Sequence, residues 1–202
     1  MLEALAAGLA QLSAAEIVAV LLGFAYLLLA VRRSRWCWAA GAGSCAILVY
    51  LSAHKQLPMQ ALLNLYYVGV SVYGFWHWSR EGADAADAVT TLPLRWHLAA
   101  GAGVLAMSVL SARLLARETQ SAWPYLDSLT AWASLYATWL VARVKLENWV
   151  YWVVIDALLV WLFGVQKAYL VALLNLVNAI VAVFGFATWL KSYRVRLAAQ
   201  VT

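Results

Sequence analysis

The chain has 202 residues, of which 66% are apolar and only 11% are charged, and its net charge at pH 7 is +5. Soluble globular domains carry about 25% charged residues, so this composition excludes a soluble protein. The 12 Trp and 10 Tyr residues are typical of membrane proteins, because their amphipathic rings settle where lipid meets water. The basic residues fall in short clusters between apolar runs, which argues against a nucleic-acid partner. The sequence therefore predicts a polytopic protein of a lipid bilayer.

Seven apolar stretches are long enough to cross the ~30 Å hydrocarbon core of a bilayer. In chain order they cover about residues 17–32, 36–54, 58–78, 96–115, 123–144, 149–166 and 168–190. Segment 79–95 is the one long polar loop, and no stretch suits a soluble domain. Residues 1–202 are therefore predicted to form a single transmembrane domain.

The orientation of this domain follows from its basic residues. With the N-terminus outside, ten Lys and Arg residues of the spans and loops lie on the cytoplasmic side and four on the outer side. Cytoplasmic loops retain positive charge, so the sequence predicts an outer N-terminus and a cytoplasmic C-terminus. It also favours an odd number of spans.

An internal repeat relates the third span to the seventh. The segment Ala61-Leu62-Leu63-Asn64-Leu65 returns 111 positions later as Ala172-Leu173-Leu174-Asn175-Leu176. In the same register Val72, Gly74, Phe75 and Trp78 match Val183, Gly185, Phe186 and Trp189. Asn, Gly and Trp matching in one register is harder to obtain by chance than Leu and Ala alone.

The two repeated spans are four crossings apart, so they run in the same direction. This predicts a 3+1+3 parallel repeat, with repeat one at about 17–78, a linker helix at about 96–115 and repeat two at about 123–190. Transporters built in this way bind their substrate between the halves, near the middle of the bilayer. The architecture therefore predicts transport.

A polar and aromatic stripe lies on the sixth span. Trp149, Trp152 and Asp156 occupy positions i, i+3 and i+7, which share one face of a helix. An Asp at a helix centre costs about 2.5–3.5 kcal/mol on insertion scales, so it normally faces a cavity or a partner. We interpret the stripe as a substrate-binding face. The alternative places Trp149 in the interfacial belt and Asp156 as a cap on a neighbouring backbone.

The third and seventh spans carry polar groups at equivalent depths. Asn64 and Tyr67 lie one helical turn apart, and their repeat mates are Asn175 and Asn178. All four are predicted to face the same pocket. The alternative is that the amides bond helix to helix, a role worth about 0.6 kcal/mol on average.

The remaining polar residues indicate no chemistry of their own. Asp127 begins a polar stripe in the fifth span. A role as the N-terminal cap of the helix after Pro124 explains this residue as well as a functional role does. Cys37 and Cys45 are interpreted as small core residues, and the three His residues as interfacial. No cofactor, metal or catalytic site is predicted. A pocket of aromatic rings, amides and one carboxylate suits a flat cationic heteroaromatic solute.

These residues resemble the PnuC family of bacterial vitamin transporters, over nearly the whole chain. The resemblance rests on E-N-W-x-x-W-x-x-x-D at 147–156, on Ser134-Leu135 through Trp139-Leu140-Val141-Ala142-Arg143, and on Tyr73-Gly74-Phe75-Trp76 with Trp78. It implies an all-α, SWEET-like fold of seven transmembrane helices and a homotrimer in the bacterial inner membrane. It also implies facilitated uptake of nicotinamide riboside, made one-way by a cytoplasmic kinase. Trp149, Trp152 and Asp156 match the family's substrate motif, with Asn64, Tyr67 and Asn175 as neighbours.

Two departures keep alternatives open. Asp156 stands where some members have Asn, and Asn178 replaces an expected aromatic residue. Because relatives are assigned to thiamine and to riboflavin, a thiamine transporter is the first alternative. A second form of the transporter hypothesis is a proton symporter, in which Asp156 binds the coupled proton. A membrane-anchored binding subunit of a larger complex is the alternative from a different class.

Overall fold

The computed structural model describes residues 10–80, 89–115 and 123–199. Within these ranges the chain forms seven α-helices: α1 Ala14–Val31, α2 Trp36–His54, α3 Pro58–Arg80, α4 Leu94–Leu115, α5 Pro124–Ala142, α6 Asn148–Val165 and α7 Tyr169–Ala199. The predicted all-helical fold is confirmed. Each predicted span matches one helix to within three residues at both ends, except that α7 continues nine residues beyond its predicted end at 190.

Five of these helices, α1, α2, α4, α6 and α7, are long and apolar enough to cross a membrane. The other two carry more polar residues. In α5 these include Ser128, Thr130, Ser134 and Thr138, all of which are buried. Their hydroxyls face the interior of the bundle, where hydrogen-bond partners replace water. The chain is a multi-pass membrane protein.

Local sequence signals fix the helix ends. Ser13 caps α1, because its Oγ accepts from Glu16 N at 3.2 Å while Glu16 Oε2 accepts from Ser13 N at 2.8 Å. Such a reciprocal pair satisfies two backbone donors at a helix start. Pro124 occupies the first turn of α5, where its missing N–H costs no hydrogen bond.

The short turns after α1, α2, α5 and α6 each contain one residue with positive φ. These are Arg33, Gln56, Val144 and Lys167, with φ of 55°, 57°, 52° and 59°. The left-handed conformation reverses the chain within a few residues, so successive helices run antiparallel. Arg33 and Val144 are 111 positions apart, as are Gln56 and Lys167.

Helices α1–α3, here called the first unit, and α5–α7, the second unit, contain matching tryptophan pairs. Trp38 and Trp78 meet edge to face with ring centroids 5.4 Å apart and an interplanar angle of 85°. Trp149 and Trp189 meet in the same way, at 5.4 Å and 88°. Each member of the second pair follows its counterpart by 111 positions.

The two units are joined by reciprocal hydrogen bonds where α3 packs on α5 and α1 on α7. Trp78 Nε1 donates to Ala142 O at 3.1 Å. Trp189 Nε1 donates to Ala30 O and Val31 O, both at 3.2 Å. Each unit therefore reaches the last turn of a helix in the other unit.

The segment 89–93, here called the strap, precedes α4 and runs beside the turn between α5 and α6. Thr90 N donates to Val144 O at 3.2 Å, and Leu146 N donates to Thr90 O at 2.9 Å. Leu92 N donates to Glu147 Oε1 at 2.7 Å. These bonds attach the strap to the second unit.

Further contacts bind the same region to the second unit. Lys145 Nζ donates to Thr90 Oγ1 at 2.8 Å. Burial lowers the pKa of the Lys145 amine, and the nearby Arg143 lowers it further. Beyond the strap, α4 packs against α5, where Trp132 Nε1 donates to Ser111 Oγ at 3.1 Å. The helix predicted as a linker is thus packed on one of the two units.

Candidate functional site

The predicted binding face of α6 lines a cavity of about 280 Å³ between the two units, here called the Trp149 cavity. Trp149, Trp152 and Asp156 form one of its walls. Because they lie at i, i+3 and i+7 of one helix, they follow each other along its axis. The Asp156 side chain is buried, with 4% of its surface exposed.

The opposite walls come from α1, α2 and α7. Gly23 and Tyr26 of α1, Ser44 of α2, and Asn178 and Ala182 of α7 line the cavity. These helices also contribute larger residues to the lining, among them Phe24, Leu48 and Leu174. The cavity therefore needs side chains from both units.

The Trp149 ring is held by the packing around it. A Cβ at Gly185 would lie 2.7 Å from the indole ring, closer than real Cβ contacts. The edge of Trp189 closes another side. Among the described residues, Trp149 Nε1 has no hydrogen-bond partner. Glycine at position 185 is thus a requirement for this ring position.

A second cavity of about 160 Å³, here called the Trp38 cavity, lies beside the first. Helices α1, α2, α3, α5 and α6 contribute its lining. The lining residues are Gly23, Tyr26, Trp38, Gly41, Ser44, Cys45, Tyr67, Ser71, Thr138 and Trp152. Gly23, Tyr26, Ser44 and Trp152 line both cavities. The two cavities therefore adjoin each other at these four residues.

The structure brings together five of the seven predicted site residues. Trp149, Trp152, Asp156 and Asn178 line the Trp149 cavity. Tyr67 lines the Trp38 cavity, together with Trp152.

The other two predicted residues, Asn64 and Asn175, line neither cavity. Asn64 Nδ2 donates to Gln60 O, and Asn175 Nδ2 donates to Val171 O, both at 2.8 Å. Each amide thus bonds the preceding turn of its own helix. This differs both from the predicted pocket role and from a bond between helices.

Trp38, Tyr26 and Ser44 are among the cavity residues that sequence reasoning missed. Trp38 precedes Trp149 by 111 positions, so extending the repeat register to the second span would have found it. Tyr26 and Ser44 lie within apolar runs without any spacing signal. Their place in the site follows from how α1 and α2 pack.

The electrostatics of the site favour a cation. Asp156 is the one carboxylate among the described residues that line the two cavities, and no described Lys or Arg lines either. Indole faces attract cations by about 0.5–2 kcal/mol, more when desolvated. A flat, positively charged ring would meet both the carboxylate and the two indoles of α6.

Apolar helices that enclose an aromatic and polar cavity between two units define a membrane transporter for a small organic solute. Residues 13–191 match the sequence profile of the family described as "Nicotinamide mononucleotide transporter". The chain belongs to this family, whose members are transporters rather than enzymes. The resemblance to the PnuC family is thereby confirmed.

Relatives and a solved structure agree with this assignment. The chain is 26% identical to proteins named "Nicotinamide riboside transporter PnuC" from Escherichia coli (strain K12) and from Shigella flexneri, with 70% of each chain covered. It also resembles a solved structure described as the vitamin B3 transporter PnuC. That match has a TM-score of 0.68 and 25% identity, and it covers 89% of this chain and 82% of the other.

Proposed function

We propose that this protein carries nicotinamide riboside into the bacterial cell. The observation that carries the proposal is the cavity between the units, where Trp149, Trp152 and Asp156 of α6 face one space. The pyridinium ring of nicotinamide riboside is flat, aromatic and positively charged. Two indoles and a carboxylate complement those three properties.

The cavity chemistry favours the nucleoside over its phosphorylated form, although the family is described by the mononucleotide. Proteins bind phosphate with Arg, Lys or the N-terminus of a helix. No described Lys or Arg lines the two cavities, and Asp156 would repel a phosphate dianion. The same repulsion would keep a phosphorylated product inside, which fits trapping by a cytoplasmic kinase.

The fold is proposed to be a SWEET-like 3+1+3 arrangement of seven transmembrane helices. The equivalent positive-φ turns, the matching Trp–Trp pairs and the reciprocal bonds of Trp78 and Trp189 support it. All of these features recur with the 111-residue interval. Helix α4 is then the linker that lets both units run in the same direction.

Transport is proposed to be passive alternating access in the inner membrane, with the N-terminus outside. The units would rock about their contact, so that the cavity between them faces one side and then the other. The distribution of Lys and Arg supports this orientation. A homotrimer is the assembly that the family resemblance implies, and native mass spectrometry in detergent tests it.

Counterflow into sealed liposomes tests the function. The purified protein alone should exchange external labelled nicotinamide riboside against an internal unlabelled pool, without an ion gradient or ATP. Nicotinamide mononucleotide should not compete. Exchange of thiamine but not of nicotinamide riboside would reassign the substrate and keep the site.

The variant Asp156→Asn separates passive transport from proton symport. It removes the proton-binding group and keeps the shape, so a passive carrier still exchanges substrate, with weaker affinity for the cation. Dependence of the wild-type protein on a proton gradient, abolished in Asp156→Asn, would overturn the passive mechanism. Inactivity of the lone protein with every substrate would instead favour a subunit of a larger complex.

A further inference from the structure

Aromatic and basic side chains form a contiguous set where α3 and α5 end. Arg80 stacks on Trp76, with its Cζ 4.2 Å from the ring centroid. The Trp76 ring centroid lies 6.4 Å from that of Tyr73. The Tyr73 hydroxyl accepts a hydrogen bond of 3.1 Å from Arg143 Nη1. Arg143 Cζ in turn lies 5.9 Å from the Trp139 ring centroid. These five residues are here called the Arg–Trp patch.

The patch is exposed and crosses the contact between the two units. Trp76 is 49% exposed and Trp139 is 39% exposed, and both arginines are exposed as well. Tyr73, Trp76 and Arg80 belong to α3 of the first unit. Trp139 belongs to α5 of the second unit, and Arg143 is the residue that follows this helix. The hydrogen bond between Arg143 and Tyr73 therefore joins one unit to the other.

The order of the side chains along both helices matches the layers of a lipid leaflet. Each tryptophan of the patch precedes an arginine by four residues, Trp76 before Arg80 and Trp139 before Arg143. At 1.5 Å per residue this is about 6 Å along the helix axis. Indole rings settle at the boundary between lipid and water, and basic residues just beyond it meet the anionic headgroups. The patch thus has its rings below its charges, as a phospholipid has its glycerol and acyl chains below its phosphate.

The arginines of the patch have N–H donors available for an anion. Among the described residues the ion pairs are Lys55 with Glu16 and His97 with Glu147, and neither includes an arginine of the patch. A guanidinium that stacks on a ring uses its face, so the N–H groups at its edge stay accessible. Each guanidinium has five N–H donors, and pairs of them suit phosphate oxygens. The patch therefore offers a phosphate group two cations and many donors.

The other contact between the units, where α1 packs on α7, is a comparison that the fold itself provides. The residues 111 positions away from those of the patch are Leu28, Arg32, Phe184, Ala187 and Lys191. Both basic positions keep their charge there, which the helix dipole explains, because a cation at a helix C-terminus is stabilising wherever it lies. Both tryptophan positions lose their ring. The helix dipole therefore does not explain the indoles of the patch.

We propose that the Arg–Trp patch binds the headgroup of an anionic phospholipid, and that this lipid strengthens the contact between α3 and α5. The two guanidinium groups bind the phosphate, while Trp76 and Trp139 lie against the glycerol and the upper acyl chains. One lipid molecule then contacts both units. A protein partner at this surface would have to bury two charges and pair both with carboxylates, whereas a headgroup supplies the counter-charge at the bilayer surface. The proposal does not depend on which solute the protein carries.

Thermal unfolding in a neutral detergent tests this lipid site. The purified protein is titrated with phosphatidylglycerol, with phosphatidylcholine of the same acyl chains, or with inorganic phosphate. Phosphatidylglycerol should raise the thermal midpoint to a plateau. Phosphatidylcholine should raise it less, because its choline cation offsets the phosphate charge, and inorganic phosphate should leave it unchanged, because it has no acyl chains. Equal shifts with the two lipids, or the full shift with inorganic phosphate, would overturn the proposal.

Arg143→Gln places the effect at the patch. It should raise the phosphatidylglycerol concentration at half of the full shift about fivefold, the value of one basic residue near an anionic lipid surface. Arg32→Gln is the matched control. Arg32 and Arg143 are 111 positions apart, each directly follows a helix, and both are exposed. Any effect of the helix dipole is therefore common to the two variants, and an equal change in both would contradict the site.

Two more variants separate lipid binding from the structural role of the patch. Trp139→Leu introduces the residue found at the equivalent position, 28, and should also weaken the response to phosphatidylglycerol. Tyr73→Phe removes the acceptor of Arg143 but keeps both guanidinium groups and both indoles. Its midpoint without lipid should fall, whereas its response to phosphatidylglycerol should persist. Loss of the response in Tyr73→Phe, or its persistence in Trp139→Leu, would overturn the proposal.

Native mass spectrometry distinguishes a lipid from a second copy of the chain at the same surface. The wild-type protein should retain phosphatidylglycerol, and Arg143→Gln should retain less of it at the same oligomeric state. If Arg143→Gln changes the oligomeric state and leaves lipid retention unchanged, the patch is an interface between copies and the lipid site is wrong.

Discussion

The indole of Trp149 lies against Gly185 so closely that a methyl group at position 185 would overlap its ring. The same relation joins Trp38 to Gly74 in the first unit. Each glycine thus permits one tryptophan to lie between two helices. The first prediction follows from this contact.

Gly185→Ala should displace Trp149 and cost about 1–3 kcal/mol of stability, as over-packing usually does. Substrate affinity should fall with it, because the displaced ring lines the cavity. Thermal unfolding in detergent and titration with nicotinamide riboside check both effects. Gly164→Ala is the control, since nothing lies within 4 Å of its Cβ position. Equal behaviour of the two variants would contradict the prediction.

Trp152→Ala should weaken binding of the cationic ring by about 0.5–2 kcal/mol, the value of an indole–cation contact. Trp161→Ala provides the comparison, because Trp161 lies on the same helix but is 50% exposed and lines neither cavity. Titration calorimetry measures both. If the two variants bind the ring equally well, α6 does not provide the stacking surface.

Asn175 and Asn178 are one turn apart on α7 but should respond differently to replacement by Ala. Asn178 lines the Trp149 cavity, so Asn178→Ala should weaken substrate binding by about 0.5–1.5 kcal/mol, the net value of one hydrogen bond. Asn175 bonds its own helix at Val171 O, so Asn175→Ala should leave affinity unchanged. An affinity loss in Asn175→Ala would restore the role that the sequence predicted for it.

Trp78→Phe should remove the bond to Ala142 O while keeping an aromatic ring between the units. An unsatisfied buried carbonyl costs about 1–3 kcal/mol, so the thermal midpoint should fall. Trp96→Phe is the matched change at a tryptophan that is 57% exposed, and its midpoint should stay near that of the wild type. Equal midpoints for the two variants would show that the bond adds no stability.

Glu147→Ala should loosen the strap, because Leu92 N loses its acceptor. This donor is partly buried, so the loss of its partner costs at most the ~1–3 kcal/mol of a fully buried group. Glu147→Gln keeps a side-chain carbonyl that can accept this bond, so it should lose less stability than Glu147→Ala. Unfolding by denaturant ranks the three proteins. An equal loss of stability in the two variants would mean that the Glu147 charge, 3.6 Å from His97, matters more than the bond to Leu92.

The helix boundaries could be predicted because charged residues and turns interrupt the apolar runs. The end of α7 could not, since Lys191, Arg194 and Arg196 end the apolar run without ending the helix. Arg196 contacts the strap, with Nη1 3.3 Å from Val89 O. Hydropathy reports where the lipid stops, which is a different property from helix propensity.

The wall that α6 contributes to the Trp149 cavity was predictable, because one helix presents all of it. Positions i, i+3 and i+7 of α6 must share a face, so Trp149, Trp152 and Asp156 line one wall. Asn64 and Asn175 show the limit of that reasoning, because a carbonyl one turn earlier satisfies a short polar side chain locally. Tyr26 and Ser44 depend on packing between helices that no spacing encodes.

Trp78 of the first unit and Trp189 of the second unit each donate a hydrogen bond to the end of a helix in the other unit. Separation of the units at these helix ends therefore breaks both bonds. Trp189 also packs edge-on against Trp149 of the cavity wall. We expect solute exit on this side to be cooperative. Release of the solute from the Trp149 cavity and breakage of the Trp78 and Trp189 bonds should then occur in a single step.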